Sequence, residues 1–334
     1  MTAFFMDYGL FLAKTGTLVL ALGVVLLMIG RARRSGQHVP ERLEVVNLND
    51  RFRSMAQTLQ QATLPRQLFK KVLKKEKKAL KQKNKRSESQ KEDVRKRTFV
   101  IDFHGDIKAT AVASLRETVS AVLMEAKPAD EVVLRLENAG GLVHEHGLAA
   151  SQLARIREKG IPLVVTVDKV AASGGYLMAC VADRILAAPF AILGSIGVLA
   201  QMPNFHGLLS RHGIEFEKIQ AGRYKRTMTL FGENTEEDRA KMQEQIDEVH
   251  GLFQRFVEDF RPQLDMEQVA TGEYWYGKQA LDRKLIDAMQ TSDDYLMAAS
   301  EDSDIYLLKY SVKKRLSERV LSSMQQTALK LFTH

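Results

Sequence analysis

The chain has 334 residues, with 49 Lys and Arg against 41 Asp and Glu, a formal charge of +8. Fifteen basic and four acidic residues fall between positions 66 and 97, so that segment carries +11 and the remainder −3, which excludes a folded body built as a nucleic-acid surface. A single cysteine, Cys180, excludes an internal disulfide and, in the apolar run 176–181, reads as core.

Residues 10–30 are apolar apart from Lys14, Thr15 and Thr17, and residues 15–30 carry no charge. With residues 3–5 the stretch reaches the roughly 20 residues that a bilayer core requires, and Lys14 can snorkel to the near interface. No basic region precedes it and no small-x-small cleavage site follows, because Arg31, Arg33 and Arg34 come directly after it. Residues 1–33 are therefore expected to form a retained single-pass transmembrane helix. By the positive-inside rule those arginines place the following chain in the cytoplasm.

Residues 34–97 read as a juxtamembrane helix and a linker. Leu43, Val46, Leu48, Phe52, Met55 and Leu59 recur at helical spacing up to Pro65. The Lys-rich run that follows has almost no aromatic residues or glycines, so it is expected to be solvated first and attached to anionic lipid second, at about 1 kcal/mol per basic residue near the surface. Nucleic acid is not an expected partner.

From Thr98 the pattern changes to alternating strands and helices. Strands are expected at 98–105, 131–138, 161–167, 184–188 and 215–221, and helices at 109–126, 147–159 and 174–181. Such βαβ spacing implies a mainly parallel sheet with helices on its faces. A long amphipathic helix is expected at 235–260, capped by Asn234 or Thr235 and stopped before Pro262. A turn and helix should follow around 271–287. The domain is bounded at 98–300, and residues 301–334 should supply a strand at 305–310 and a basic amphipathic helix at 312–332.

Three glycine turns follow expected strands: Asn138-Ala139-Gly140-Gly141, Ser173-Gly174-Gly175 and Gly194-Ser195-Ile196-Gly197. Ligands of open α/β sheets bind at the carboxyl ends of strands, so these turns should converge on one crevice. None matches a dinucleotide or P-loop pattern. Ser173 sits where a strand ends and a helix begins, a corner that can expose a hydroxyl beside free backbone N–H groups as acyl transfer requires. An N-cap serine is the competing reading.

A base is then needed. His104, His144, His146, His206, His212 and His250 are candidates that no local context separates, and His144-Glu145-His146 lacks the i, i+4 spacing of a helical metal site. Lys225, in Ile219-Gln220-Ala221-Gly222-Arg223-Tyr224-Lys225-Arg226, follows an expected strand and a glycine, and its long stem could reach the crevice. A lysine acts as a base only when neutral, which requires burial. Ser195 could orient the amine. A solvated lysine between Arg223 and Arg226 is the competing reading.

Taken together, Leu136 to Gly141, Asp168 to Tyr176, Gly194 to Val198 and Ala221 to Arg226 resemble, in order and spacing, the signal peptide peptidase A family of membrane-anchored Ser-Lys peptidases, most closely its SohB subgroup. The likeness extends over essentially the whole chain. It implies a crotonase-like or Clp-protease-like α/β/α domain with a mainly parallel sheet behind one N-terminal transmembrane helix. It also implies Ser173 as nucleophile, Lys225 as general base, Ser195 holding the lysine amine, and oxyanion N–H groups from Gly174 and from Gly140 or Gly141. Expected partners are a signal-peptide-like or unfolded polypeptide substrate, membrane lipid and further copies of the chain in a ring. No metal or organic cofactor is expected. The implied location is a bacterial inner membrane, with the family favouring its outer face where the charge rule favours the cytoplasm.

One departure stands out, since the family usually has Ser-Pro-Gly-Gly where this chain has Asn138-Ala139-Gly140-Gly141. It motivates an alternative, a non-catalytic membrane scaffold of the same fold. A crotonase-type acyl-CoA enzyme is suggested by fold alone and leaves the anchor unexplained.

Overall fold

The computed structural model describes residues 42–89 and 95–311, together with positions 14–17, 19, 20 and 23. The chain divides into one compact unit, Glu44–Lys309, and a second comprising Met1–Leu43 and Tyr310–His334. Among the described residues no helix is long and apolar enough to cross a membrane. The expected anchor falls almost entirely outside the described residues, as does the expected helix at 312–332.

The first elements differ from the sequence expectation. Residues at the start of the expected juxtamembrane helix form strand β1 (Arg42–Asn47), and helix α1 (Leu48–Thr63) begins only after Asn47, whose side chain accepts from the Asp50 N–H as its N-cap. The pair Val45-Val46 favours extended backbone, and Asn47 supplies the stop. After Pro65 the Lys-rich run is a further helix, α2 (Arg66–Ser89), consistent with its content of Lys, Leu, Gln and Glu. The compact unit is thus wider than 98–300, because β1 and α1 join its sheet and core.

The remaining elements are β2 (Arg97–His104), α3 (Val112–Glu125), β3 (Glu131–Glu137), α4 (Val143–Glu158), β4 (Leu163–Val167), β5 (Val170–Ala172), α5 (Gly174–Ala179), β6 (Arg184–Ala187) and β7 (Ile192–Gly194). Then come α6 (His206–Arg211), α7 (Glu236–Phe260), α8 (Met266–Val269), β8 (Tyr274–Tyr276), α9 (Gly277–Asp282), β9 (Ala288–Met289), α10 (Ser292–Asp302) and β10 (Asp304–Ser311). A seven-stranded sheet runs β1-β10-β2-β3-β4-β6-β9, and every pair from β10 to β9 is parallel. A second sheet, β5-β7-β8, is parallel between β5 and β7 and antiparallel between β7 and β8.

The alternation of side chains along the strands builds the core. Val100, Val133, Val164, Leu186, Ile305 and Leu307 share one buried face with Leu48 of α1 and Leu296 of α10. Ile101, Leu134, Val165 and Ile185 point the other way and are equally buried. Cys180 is buried, as expected, and burial pushes its thiol pKa up. The expected strand at 215–221 is absent. Phe216 and Ile219 have no strand beside them, and Ile219 is 97% exposed; a lone strand has nothing to satisfy its backbone groups.

Helix α7 is tied to the sheet by one polar junction. Arg261, 3% exposed, donates to both carboxylate oxygens of Asp287 at 3.0 and 2.8 Å and to the Lys284 carbonyl at 3.1 Å. Asp287 in turn accepts from the Ile185 N–H of β6 at 2.7 Å. Removing the guanidinium leaves a half-buried carboxylate without its partner, so Arg261→Ala should lower stability in urea unfolding by about 3 kcal/mol. A loss under about 1 kcal/mol would contradict this role.

Candidate active site

Strand β5 is three residues long and has hydrogen-bonding neighbours on both sides. The Asn138 N–H donates to Val170 O at 2.9 Å and the Ala172 N–H to Asn138 O at 3.0 Å. On the other side the Ile192 N–H donates to Lys169 O, and the Ser173 N–H to Gly194 O, both at 2.8 Å. The three glycine turns of the sequence are therefore laced together through one short strand, and the expected convergence holds.

Ser173 occupies φ 52°, ψ −121°, a region that side-chain-bearing residues rarely adopt. Such backbone costs on the order of 1–3 kcal/mol and persists only where the surroundings impose it. The bond to Gly194 O on one side and the start of α5 on the other do so here. Although Ser173 is at the N-cap position, its side chain makes no capping hydrogen bond. The competing N-cap reading is removed, and Ser173 lines a cavity.

That cavity measures about 320 Å³ and is bounded by Ser173, Gly174, Gly141 and His146 at one end. Leu177, Val198 and the α7 residues Val249, Leu252, Phe253 and Phe256 supply an apolar wall. The α7 residues follow i, i+3, i+4 and i+7 spacing, so one stripe of that helix faces the cavity. The glycines are required by contact. A Cβ on Gly140, at φ 91°, would stand 2.8 Å from both Gly174 N and Ser173 Cβ, and one on Gly174 would stand 2.5 Å from His146 Cγ. The N–H of Gly140 donates to Asn138 Oδ1 at 2.9 Å, which removes it from the possible oxyanion donors. Among the described residues the N–H groups of Gly141 and Gly174 have no partner, and both residues line the cavity.

Lys225 is not brought to Ser173. It lines a different cavity of about 500 Å³, with residues 216–221, Arg226 and Thr229. It is exposed, and among the described residues its amine has no hydrogen bond or ion pair. The expected path into the crevice was a strand end, and that strand does not form. Ser195, also at positive φ (52°), is half-buried on the turn after β7, where its N–H donates to Glu273 O at 2.7 Å. It is linked to Ser173 through Gly194 but lines neither cavity.

Of the six candidate histidines, only His146 lines the Ser173 cavity, and it is fully buried. His104 and His144 are largely exposed beside Glu137 and Glu145. The sequence held a signal for His146 that spacing reveals. With Ala149, Ala150, Leu153 and Ile156 it forms the buried face of α4.

Residues 3–153 match the family description "Peptidase family S49 N-terminal" and residues 155–306 match "Peptidase family S49". The chain is 44% identical over 332 residues to "Probable protease SohB" of Haemophilus influenzae, covering 97% of this chain and 94% of that protein. It is 51% identical over 242 residues to "Probable protease SohB" of Buchnera aphidicola subsp. Acyrthosiphon pisum, covering 71% of this chain and 72% of that protein. A solved structure of the 1510-N membrane-bound stomatin-specific protease overlaps 66% of this chain and all of that one, with 12% identity and a TM-score of 0.45. The chain belongs to peptidase family S49 and is a serine peptidase.

Two glycine substitutions separate backbone strain from damage to the site. Gly140 (φ 91°) and Gly160 (φ 71°) both have left-handed backbone, but a Cβ on Gly160 meets nothing within 4 Å. Gly160→Ala should lose about 1–2 kcal/mol of stability from backbone strain alone, and Gly140→Ala should lose more, because its Cβ also meets backbone. Only Gly140→Ala should also lose peptidase rate per folded molecule, by about 100-fold, because it displaces Ser173 and Gly174. Equal rates in the two variants would contradict the assignment.

Proposed function

We propose that the chain is an endopeptidase in which Ser173 is the nucleophile, Lys225 the general base and Ser195 the residue that orients the lysine amine. The observation that carries this is the strained corner at Ser173, which makes no side-chain capping bond and lines an apolar cavity together with Gly141 and Gly174, the N–H groups of which have no partner among the described residues. The Ser173 hydroxyl oxygen attacks the scissile carbonyl carbon while the neutral Lys225 amine takes its proton. The two N–H groups receive the oxyanion. Collapse breaks the C–N bond, and the Lys225 ammonium returns the proton to the leaving amine. Water then attacks the acyl-Ser173 ester with Lys225 again as base, releasing the acid and restoring the serine hydroxyl.

Lys225 is supplied by a neighbouring copy of the chain. Within one copy it is exposed, which keeps an amine charged, and a base at Ser173 must be desolvated. The segment around it carries Leu199 (75% exposed), Leu208 (55%), Ile214 (55%) and Ile219 (97%), the composition of a surface that a partner covers. A heterologous ring, in which each copy lends its lysine to the next serine, satisfies both needs. The apolar wall of the Ser173 cavity fits an apolar side chain next to the scissile bond, hence signal-peptide-like or unfolded membrane segments as substrates. The apolar N-terminal stretch serves as the inner-membrane anchor.

Subunit complementation tests this arrangement. Coexpressed Ser173→Ala and Lys225→Ala chains, each inactive alone on casein, should form mixed rings with about one quarter of wild-type activity if the pair is shared between copies. Mixed rings without activity would place both residues in one chain or remove Lys225 from the chemistry.

A further inference from the structure

The departure at Asn138-Ala139 places a buried amide behind the oxyanion turn. Asn138 is 1% exposed, and its main chain is already engaged with β5. Its carboxamide oxygen accepts from the Gly140 N–H at 2.9 Å and lies 3.2 Å from His146 Nε2. Its amide nitrogen lies 3.3 Å from Met178 Sδ. The surroundings are cut to admit this side chain. A Cβ on Gly105 would stand 2.3 Å from Asn138 Cγ and 2.4 Å from its Oδ1.

Gly140 and Gly141 have φ of 91° and 155°, and glycines have no intrinsic preference for such backbone, so other groups must choose it. The choice is made by two bonds on either side of Gly141. The Gly140 N–H is held by Asn138, and the Leu142 N–H by Ile107 O at 2.9 Å. Between these anchors the N–H of Gly141 remains unengaged. An asparagine accepting from the N–H two residues on forms a turn of its own, which needs no proline.

The amide must also face the right way. Rotated by half a turn, Asn138 would present its NH₂ to the Gly140 N–H, two donors together. The Gly140 N–H thus sets which way the amide faces, and His146 packs against the same amide with Nε2 3.2 Å from its oxygen, the ring placed by the Leu142 carbonyl, which accepts from Nδ1–H at 2.9 Å.

We propose that Asn138 and His146 are paired positioning residues that hold the oxyanion turn in this chain, taking the place of the proline, so that the Gly141 N–H points at the carbonyl oxygen of a substrate on Ser173. This rests on Ser173 being the nucleophile. Family membership and the Ser-Lys reading leave both residues without a role, and the alternative of a non-catalytic scaffold loses the observation that prompted it.

The test is steady-state hydrolysis of an apolar peptide ester by the full chain purified in detergent, with unfolding monitored for every variant. Asn138→Ala should lower kcat by about 100-fold with KM within about twofold of wild type, since the lost contact acts in the transition state. The double variant Asn138→Ser with Ala139→Pro should return kcat to within about threefold, because residue 138 is extended, as a residue before proline must be, and the Ala139 N–H has no partner among the described residues. His146→Gln, which keeps a polar side chain against the Asn138 amide, should stay within about threefold of wild type, while His146→Leu should follow Asn138→Ala. Should Asn138→Ala not fold, the two His146 variants read the same coupling.

Asn138→Ala with unchanged kcat, or a folded double variant as slow as the single one, would overturn the proposal. So would equal rates for His146→Gln and His146→Leu. Ser173→Ala is the separating control. If it abolishes turnover while Asn138→Ala is silent, only the positioning role fails; if Ser173→Ala turns over normally, the nucleophile assignment fails first.

Discussion

Everything at the candidate site depends on the hydrogen bonding of a three-residue strand. Because β5 is bonded to Asn138 on one side and to residues 192–194 on the other, three turns distant in sequence are held within one ladder. The strained backbone of Ser173 is a consequence. Its N–H is fixed by Gly194 O, its carbonyl begins α5 by accepting from the Leu177 N–H at 3.0 Å, and the corner between them has no relaxed alternative. The close glycine contacts follow from the same lacing, since Gly140, Gly174 and Gly175 pass within side-chain distance of their neighbours.

The two cavities have different characters, and that difference organises the functional reading. The Ser173 cavity is formed by buried elements and an apolar stripe of α7. The Lys225 cavity is formed by an irregular segment secured by its own local contacts: Asn204 donates to Thr229 O and Gly232 O, and Phe231 lies against Phe205 and Phe216. Such a segment holds its shape while presenting apolar side chains outward. Under the proposed reading, in which Lys225 is the base, a surface of that kind is what a subunit interface with shared chemistry requires.

Much of this was legible in the sequence, and the failures have physical causes. Alternating β-branched residues gave the parallel strands, and the expected cap, Asn234 or Thr235, placed the start of α7 within a residue, where Thr235 forms a capping box with Asp238. Gly-rich turns located the site because few other residues tolerate its backbone. Val45-Val46 was read as helix because α1 continues the same apolar spacing; only Asn47 separates them. Residues 215–221 have a strand pattern without a partner strand, and pairing is not encoded in a segment alone. His146 was not singled out among the six candidate histidines because a histidine's burial is decided by the helix face it shares. Asn138-Ala139 was noticed for the lost proline at 139, whereas the contacts of the Asn138 amide with Gly140 and His146 became visible only with the turn in place.

The central claim is that Ser173 forms a covalent acyl intermediate. Mass spectrometry of the full chain, quenched in acid shortly after mixing with an apolar peptide ester, tests it most directly. The account predicts one added acyl mass on the peptide that contains Ser173, and none in Ser173→Ala. Turnover with no acyl mass on that peptide, or an acyl group carried by another residue, would contradict it.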